Sequence, residues 1–449
     1  MDRPLTRKDM LRWFESGFTP PSEYRLGLEW EKELVHAQGR RITFFEPGGI
    51  QDVLKGFTQF GWTGSFEGSN LIAMTRDGAS LTIEPGGQFE ISTAPRTTVS
   101  EIEGDVRTHL RELQAVVRGT DVMPLAIGYT PVQPVESIPF VPKARYGIMG
   151  EYIARAGSLG HGMMKGTSSV QVTIDVTSHA DAARKVPVAI ALSPLVLAMF
   201  ANSPLAGGKD TGWASWRGHC WEHTDPARTG LMTDVFEGGF TYERYLDWLL
   251  DVPMLLYRDG QTYKAAHGRP FRDFAARGID GRFPTLEDFA LQVNTVFPEV
   301  RIGKWLEMRS ADNVPLPMIP ALAAFWKGIM YDRQALSDAE ELVAAIPSAD
   351  RAKLQTIAAS DGLAGRYKKR RLRSWAALAL EIAVDGLRRQ APDGPAEIAY
   401  LAPLQELLAV GESPAISVWR EFERGDPNWL RALAYPPVDS VPPVDAKNA

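Results

Sequence analysis

A chain of 449 residues, 44% hydrophobic and 23% charged, fits a soluble globular protein with one large domain or two or three ordinary ones. Its net charge of −6 argues against a broad nucleic-acid footprint. Cys220 is the only cysteine, which excludes an intramolecular disulfide, and no basic segment followed by an apolar run opens the sequence, so the expected compartment is the cytoplasm.

Thr6 and Asp9 make a capping-box start for a first helix that Gly17 ends. Residues 24–34, YRLGLEWEKEL, then alternate as a strand, with Arg25, Gly27, Glu29, Glu31 and Glu33 on one face and Leu26, Leu28 and Trp30 on the other. Residues 50–60 are helical, and Arg76-Asp77-Gly78 between 71–75 and 80–84 signals a hairpin. Residues 81–92, LTIEPGGQFEIS, read as a strand, a bend or bulge at Pro85-Gly86-Gly87, and a second strand. Glu84, Gln88, Glu90 and Ser92 share one parity; Ile83, Phe89 and Ile91 share the other. A helix follows over 100–119, then strands over 122–129 and 170–176, the latter with Ser169, Gln171, Thr173 and Asp175 on one face. The apolar stretch 186–200 is too short to span a bilayer comfortably and reads as a buried helix containing Pro187 and Pro194, so no membrane partner is expected. A Gly- and Trp-rich loop (206–230), a helix over 242–251 and a strand over 300–309 complete a mixed α+β pattern. On that last strand Trp305, Glu307 and Arg309 share a side. Beyond about residue 335 the pattern is helical, and the Pro-rich tail 435–449, which repeats PPVD, is expected to be disordered.

Several chemistries drop out. The chain has no phosphate-cradling GxxxxGK[ST] loop and no GxSxG nucleophile elbow, and Cys220 lacks a catalytic context. His219, Cys220 and His223 do not make the four-ligand spacing of structural zinc, and the basic run 368–373 reads as a solvated helix face. What remains is Glu29, Glu31, Glu84, Glu90 and Glu307 with Gln171 and several arginines. Like charges brought together in a dry site need protons or cations, and hard oxygen donors spread over strands suit magnesium. Arginines beside such ions suit a transferring phosphoryl group, so the residues alone point to metal-dependent phosphoryl transfer, with a glycosidase-like carboxylate pair as the rival.

These residues fall in nine ordered stretches that resemble the glutamate–cysteine ligases of the plant and proteobacterial type: GLEWEKE (27–33), TIEPGGQFEISTAP (82–95), RYGIMGEYI (145–153), SVQVTIDV (169–176), FANSP (200–204), DPARTG (225–230), YLDWLLDVPM (245–254), FPEVR (297–301) and LEMRSAD (306–312). The resemblance implies a curved, mainly antiparallel sheet forming a funnel-like active site, as in the glutamine synthetase catalytic fold, covered by helices. It implies a catalytic domain over 1–335, with a helical region (336–434) packed on it. It further implies that Glu29, Glu31, Glu84, Glu90, Gln171 and Glu307 hold two or three magnesium ions and that Arg309 meets the ATP phosphates. Glutamate would become γ-glutamyl phosphate, and the amine of cysteine would displace phosphate. Arg217 and Arg228 are expected to clamp carboxylate or phosphate groups; Gln88, Ser92, Tyr146, Tyr245, Met254 and Lys304 are expected to line the substrate and ATP pocket. The state expected is monomer or homodimer.

The chain departs from the family at Gly166, where an arginine is usual, at Thr173, where asparagine is usual, and at Ser310 and 314–319 (VPLPMI), where a glycine and a WRRL run stand. Any change of amine acceptor is therefore expected in 167–175 and 310–319, with VPLPMI as an apolar wall. Alternatively Lys165, Lys304 or Arg301 supplies the missing charge and cysteine stays the acceptor. A related ligase with another amine and a non-catalytic nucleotide- and metal-binding homologue are the other readings; against the latter, unpaired buried carboxylates are costly.

Overall fold

Alternation and turn chemistry produce a nine-stranded sheet in the computed structural model, which describes residues 5–232, 238–260, 262–390 and 392–444. The strands are β1 (Leu26–Val35), β2 (Thr63–Glu67), β3 (Asn70–Arg76), β4 (Ala79–Ile83), β5 (Phe89–Ser92), β6 (Met123–Leu125), β7 (Ser169–Ile174), β8 (Val300–Ile302) and β9 (Leu306–Asp312). The order is β8-β9-β7-β1-β5-β4-β3-β2, with β6 on the far end of β1. Every pairing in this sheet is antiparallel, and the path has two ends, so the sheet is not a closed barrel. The expected α+β class with a mainly antiparallel sheet holds.

The β3–β4 turn is the predicted one: Asp77 and Gly78 both have positive φ, as a two-residue hairpin loop of this hand requires. The bend or bulge expected at Pro85-Gly86-Gly87 and the single strand expected over 300–309 are both hairpins. Glu84–Gln88 reverses the chain, so β5 pairs back on β4 with Thr82 opposite Glu90. Gly87, at φ 89°, supplies the left-handed residue of that reversal. Residues 303–305 likewise turn β8 back onto β9, setting Arg301 opposite Glu307. The strand expected over 122–129 shortens to β6.

Leu26, Leu28 and Trp30 are buried on the apolar face of β1. Helix Met318–Met330 packs on β7 and on helix Val99–Val116, while helix His179–Phe200 packs on β9. This last helix, with Pro187 and Pro194 inside it, extends N-terminally beyond the apolar run and is long and apolar enough to cross a membrane. It is nevertheless core, since Val186 and residues 188–200 are all buried. Helix Leu372–Arg389 packs on both it and Met318–Met330, so helices beyond residue 335 share one hydrophobic core with the sheet. The tail expected to be disordered begins inside that core: the Tyr435 hydroxyl accepts from Trp30 Nε1 at 3.1 Å and donates to the Val314 carbonyl at 2.7 Å, and Val438 is buried. Residues 445–449 lie outside the described residues.

Candidate active site

The polar face of β1 meets its neighbours in a register that gathers charge. Glu29 lies between Ser92 of β5 and Gln171 of β7, and Glu31 faces Glu90. Glu84 comes from the β4–β5 turn and Glu307 from β9. All six side chains line a cavity of about 530 Å³ whose other walls include Trp13, Arg145, Tyr146, Thr167, Trp221, Phe297 and Lys304. Common strand parity on β1, β5 and β7 aims Glu29, Glu31, Glu90 and Gln171 together.

Polar contacts tie the donors into a lattice. Ser169 Oγ donates to Glu31 at 2.9 Å, and Gln171 Nε2 reaches Glu31 at 3.3 Å. Arg309 Nη1 donates to Gln171 Oε1 at 2.6 Å and also to Glu307, and Thr82 donates to Glu90. Arg301 Nη2 reaches the other Glu307 oxygen at 2.7 Å. Burial alone would push the Glu307 carboxyl up, but the two guanidiniums hold it below the usual carboxylate range. At its neighbours the nearby cations do not outweigh burial and like charge. Burial, then the charges of Glu90 and Glu84, push Glu31 up to about 8. Burial and Glu84 push Glu90 up to about 7, and burial with Glu307 and Glu90 holds Glu29 well above the ordinary range.

That imbalance is the test of fit for a metal. Five carboxylates and an amide oxygen form a hard donor set, and the carboxylates at 29, 31 and 90 lack the cations that would keep them ionised. Divalent ions match both the donor chemistry and the missing charge.

The remaining expected site residues divide. Ser92, Tyr146, Gln88 and Lys304 line the cavity. The Gln88 amide, however, is committed to backbone: its Oε1 accepts from Gly86 N at 2.9 Å and its Nε2 donates to Thr167 O at 2.8 Å, so it locks the turn against segment 163–167. Tyr146 donates to Ile83 O at 3.0 Å and receives Arg145 Nη2 at 3.1 Å. Arg217 and Arg228 are not clamps in the cavity. Arg228 is fully buried, bonded to Asp225 at 2.6 Å, Pro253 O at 2.6 Å and Thr295 O at 3.0 Å. Arg217, on helix Trp216–Glu222, donates to Arg309 O at 2.7 Å and so supports the strand that carries Arg309. Tyr245 and Met254 are core residues behind the wall: Tyr245 packs on Phe14, with ring centroids 5.9 Å apart. Tyr245 lies on helix Tyr242–Asp251, whose period fits a packed face equally well.

The departures at 166 and 314–319 do not border the cavity either. A Cβ on Gly166 would meet the Tyr129 ring at 2.6 Å, so the site of the missing arginine is filled by an aromatic. Val314, Leu316 and Ile319 are buried in the core, and Lys165 Nζ is bound to Ile138 O at 3.0 Å. Of the three substitute cations weighed, Arg301 and Lys304 face the cavity. Arg145 was not anticipated; it lines the cavity with its Nε buried and unpartnered.

The family described as Glutamate-cysteine ligase family 2 (GCS2) matches residues 25–426. The chloroplastic glutamate–cysteine ligase of Medicago truncatula is 38% identical over 416 residues, 92% of this chain and 81% of that protein. The chloroplastic glutamate–cysteine ligase of Arabidopsis thaliana is 37% identical over 416 residues, 92% of this chain and 79% of that protein. Among solved structures, glutamate–cysteine ligase from Francisella tularensis in complex with AMP aligns with a TM-score of 0.57 at 12% identity, over 91% of this chain and 88% of that one. A bifunctional glutathione synthetase from Pasteurella multocida aligns at 0.55 and 12% identity, over 96% of this chain and 54% of that one. At such identities the two structures speak to the fold alone.

Proposed function

We propose that this chain, which belongs to glutamate–cysteine ligase family 2 and is a ligase, joins the γ-carboxylate of glutamate to the amine of cysteine at the expense of ATP, the first step of glutathione synthesis. The observation that carries the reading is the cavity in which Glu29, Glu31, Glu84, Glu90, Glu307 and Gln171 meet Arg301 and Arg309. Those six side chains would hold two or three magnesium ions, which when bound neutralise a nucleotide and a carboxylate that otherwise repel each other. The γ-carboxylate of glutamate attacks the γ-phosphorus of ATP, ADP leaves, and γ-glutamyl phosphate forms. The free amine then attacks the acyl carbon, phosphate departs with the bonding pair, and the amine loses a proton.

Each residue has a task in this sequence. Arg309, fixed by Glu307 and Gln171 and supported from behind by Arg217, keeps a guanidinium where charge accumulates on the transferring group. Arg301 bears on the opposite oxygen of Glu307, so the two arginines and the carboxylate form one preset unit. Arg145 and Lys304, the other cations of the cavity wall, are suited to a substrate carboxylate. Holding three substrates in one enclosure replaces a chance encounter by a local reaction. Gly166 and VPLPMI stand away from the cavity and so lend no support to a change of acceptor, although Thr167 does line it.

The test is ADP release with glutamate, magnesium and each of cysteine, 2-aminobutyrate and amines lacking a carboxylate. We expect turnover to require glutamate and to be fastest with cysteine. Equal or faster rates with carboxylate-free amines would make this a different γ-glutamyl ligase. ADP release indifferent to glutamate would refute the reading altogether.

A further inference from the structure

Helix Trp216–Glu222 ends in a cluster that the active site does not use. His219, Glu222 and His223 each offer a ligand atom, and these atoms lie within 4.8 Å of one another. Spacing explains the convergence, since residues three and four apart stack on one face of a helical turn. The same order, His-x-x-Glu-His, carries the zinc histidines of one class of metallopeptidases. Cys220 is not a member: its thiol is buried on the other side, next to Gly162 and Tyr129.

Each member is held in place by its surroundings. His223 Nδ1 lies 2.9 Å from the His219 carbonyl oxygen and donates a hydrogen bond to it. That hydrogen bond fixes the tautomer and leaves Nε2 with a free lone pair, the way metal-bound histidines are commonly oriented by a neighbouring carbonyl. Glu222 is steadied by the Thr356 hydroxyl, which donates to its Oε1 at 3.1 Å. The His219 ring is stacked on Trp213 with centroids 4.0 Å apart and leans on Trp216 at 4.8 Å. Its Nδ1 is buried without any hydrogen-bond partner. The two imidazoles sit 4.3 Å apart, centroid to centroid, and His223 is exposed, which leaves an entry path.

We infer that His219, Glu222 and His223 form a binding site for a divalent transition metal, separate from the carboxylate cavity. Two imidazole nitrogens and one carboxylate oxygen suit zinc, cobalt or nickel and suit magnesium poorly. Three protein ligands leave a further position for water. The site is not remote in effect: Trp221, in the same turn, lines the active-site cavity, and Arg217 of the same helix holds the backbone of Arg309. An ion at the end of this helix therefore pins the segment that forms one cavity wall.

The full-length protein, stripped with chelator, is titrated with zinc by calorimetry and with cobalt by visible absorption, each in excess magnesium. Wild type is expected to bind one equivalent in the presence of magnesium and to give the intense d–d bands of a low-coordinate cobalt site. His223→Ala, an exposed change, should weaken binding by at least about tenfold. Glu90→Gln, in the carboxylate cavity, should leave it unchanged. Zinc affinity unaltered in His223→Ala would overturn the assignment. So would loss of binding in Glu90→Gln, or no saturable binding by wild type.

Discussion

Replacing Glu90 by Gln separates the cost of the carboxylate cluster from its use. The substitution keeps size and leaves an oxygen to accept from Thr82, but removes the charge facing Glu31 across the β1–β5 pair. In the folded protein the Glu90 carboxyl is pushed from 4.5 up to about 7, first by burial and then by Glu84. An acid raised on folding contributes stability that is present below its unfolded value and lost as pH rises through its folded one. At about 1.36 kcal/mol per unit, the metal-free wild type loses on the order of 3 kcal/mol from this group between about pH 4.5 and pH 7. Glu90→Gln should not lose it, and Glu29 and Glu31, both raised partly by Glu90, should gain as well. Urea denaturation in chelator at pH 5 and pH 8 is therefore expected to show the variant more stable than wild type at pH 8 and little different at pH 5. Turnover at saturating magnesium should fall by a factor on the order of a hundred or more, if stabilisation of the transferring phosphoryl depends on this ligand. A variant less stable than wild type at pH 8, or one with near-wild-type turnover, would refute the reasoning.

Magnesium affinity should rise from pH 6 to pH 8.5 as Glu90 (about 7) and Glu31 (about 8) give up their protons, with proton release visible when calorimetry is repeated in buffers of different ionisation enthalpy. Arg228→Met should destabilise the fold by about 3–5 kcal/mol, because Asp225 is left buried and unpaired; a clamp on substrate would instead cost KM with the melting temperature intact. Gly166→Arg, which restores the family's usual residue, should lower stability by about 1–3 kcal/mol through collision with Tyr129, without tightening any substrate KM.

The acidic core of the site was legible because strand parity is a strong constraint. Glu29 and Glu31 on one stretch and Glu90 on another could share a face only if paired in register, and the register sets Glu31 against Glu90. Asp77-Gly78 announced its hairpin by chemistry. Gly303-Lys304-Trp305 gave no such signal, since alternation runs through it from Val300 to Arg309, and so the pairing of Arg301 with Glu307 was hidden. Arg145 was hidden for another reason: on helix Ala144–Ala156 nothing local distinguishes a cation facing a cavity from one facing water. Arg217 and Arg228 misled because a guanidinium that binds backbone carbonyls and an aspartate reads, in sequence, like one that binds substrate. The tail misled by composition, for a Pro-rich segment can still dock when one side chain, here Tyr435, finds buried partners in Trp30 and Val314.

What the carboxylate cavity binds decides what this chain does. Crystals of the full chain grown with manganese in place of magnesium and a non-hydrolysable ATP analogue allow the ions to be located by anomalous scattering. Peaks should lie among Glu29, Glu31, Glu84, Glu90, Gln171 and Glu307, with the analogue's phosphates beside Arg309. Nucleotide or manganese bound elsewhere, with these six side chains free of metal, would contradict the proposed function.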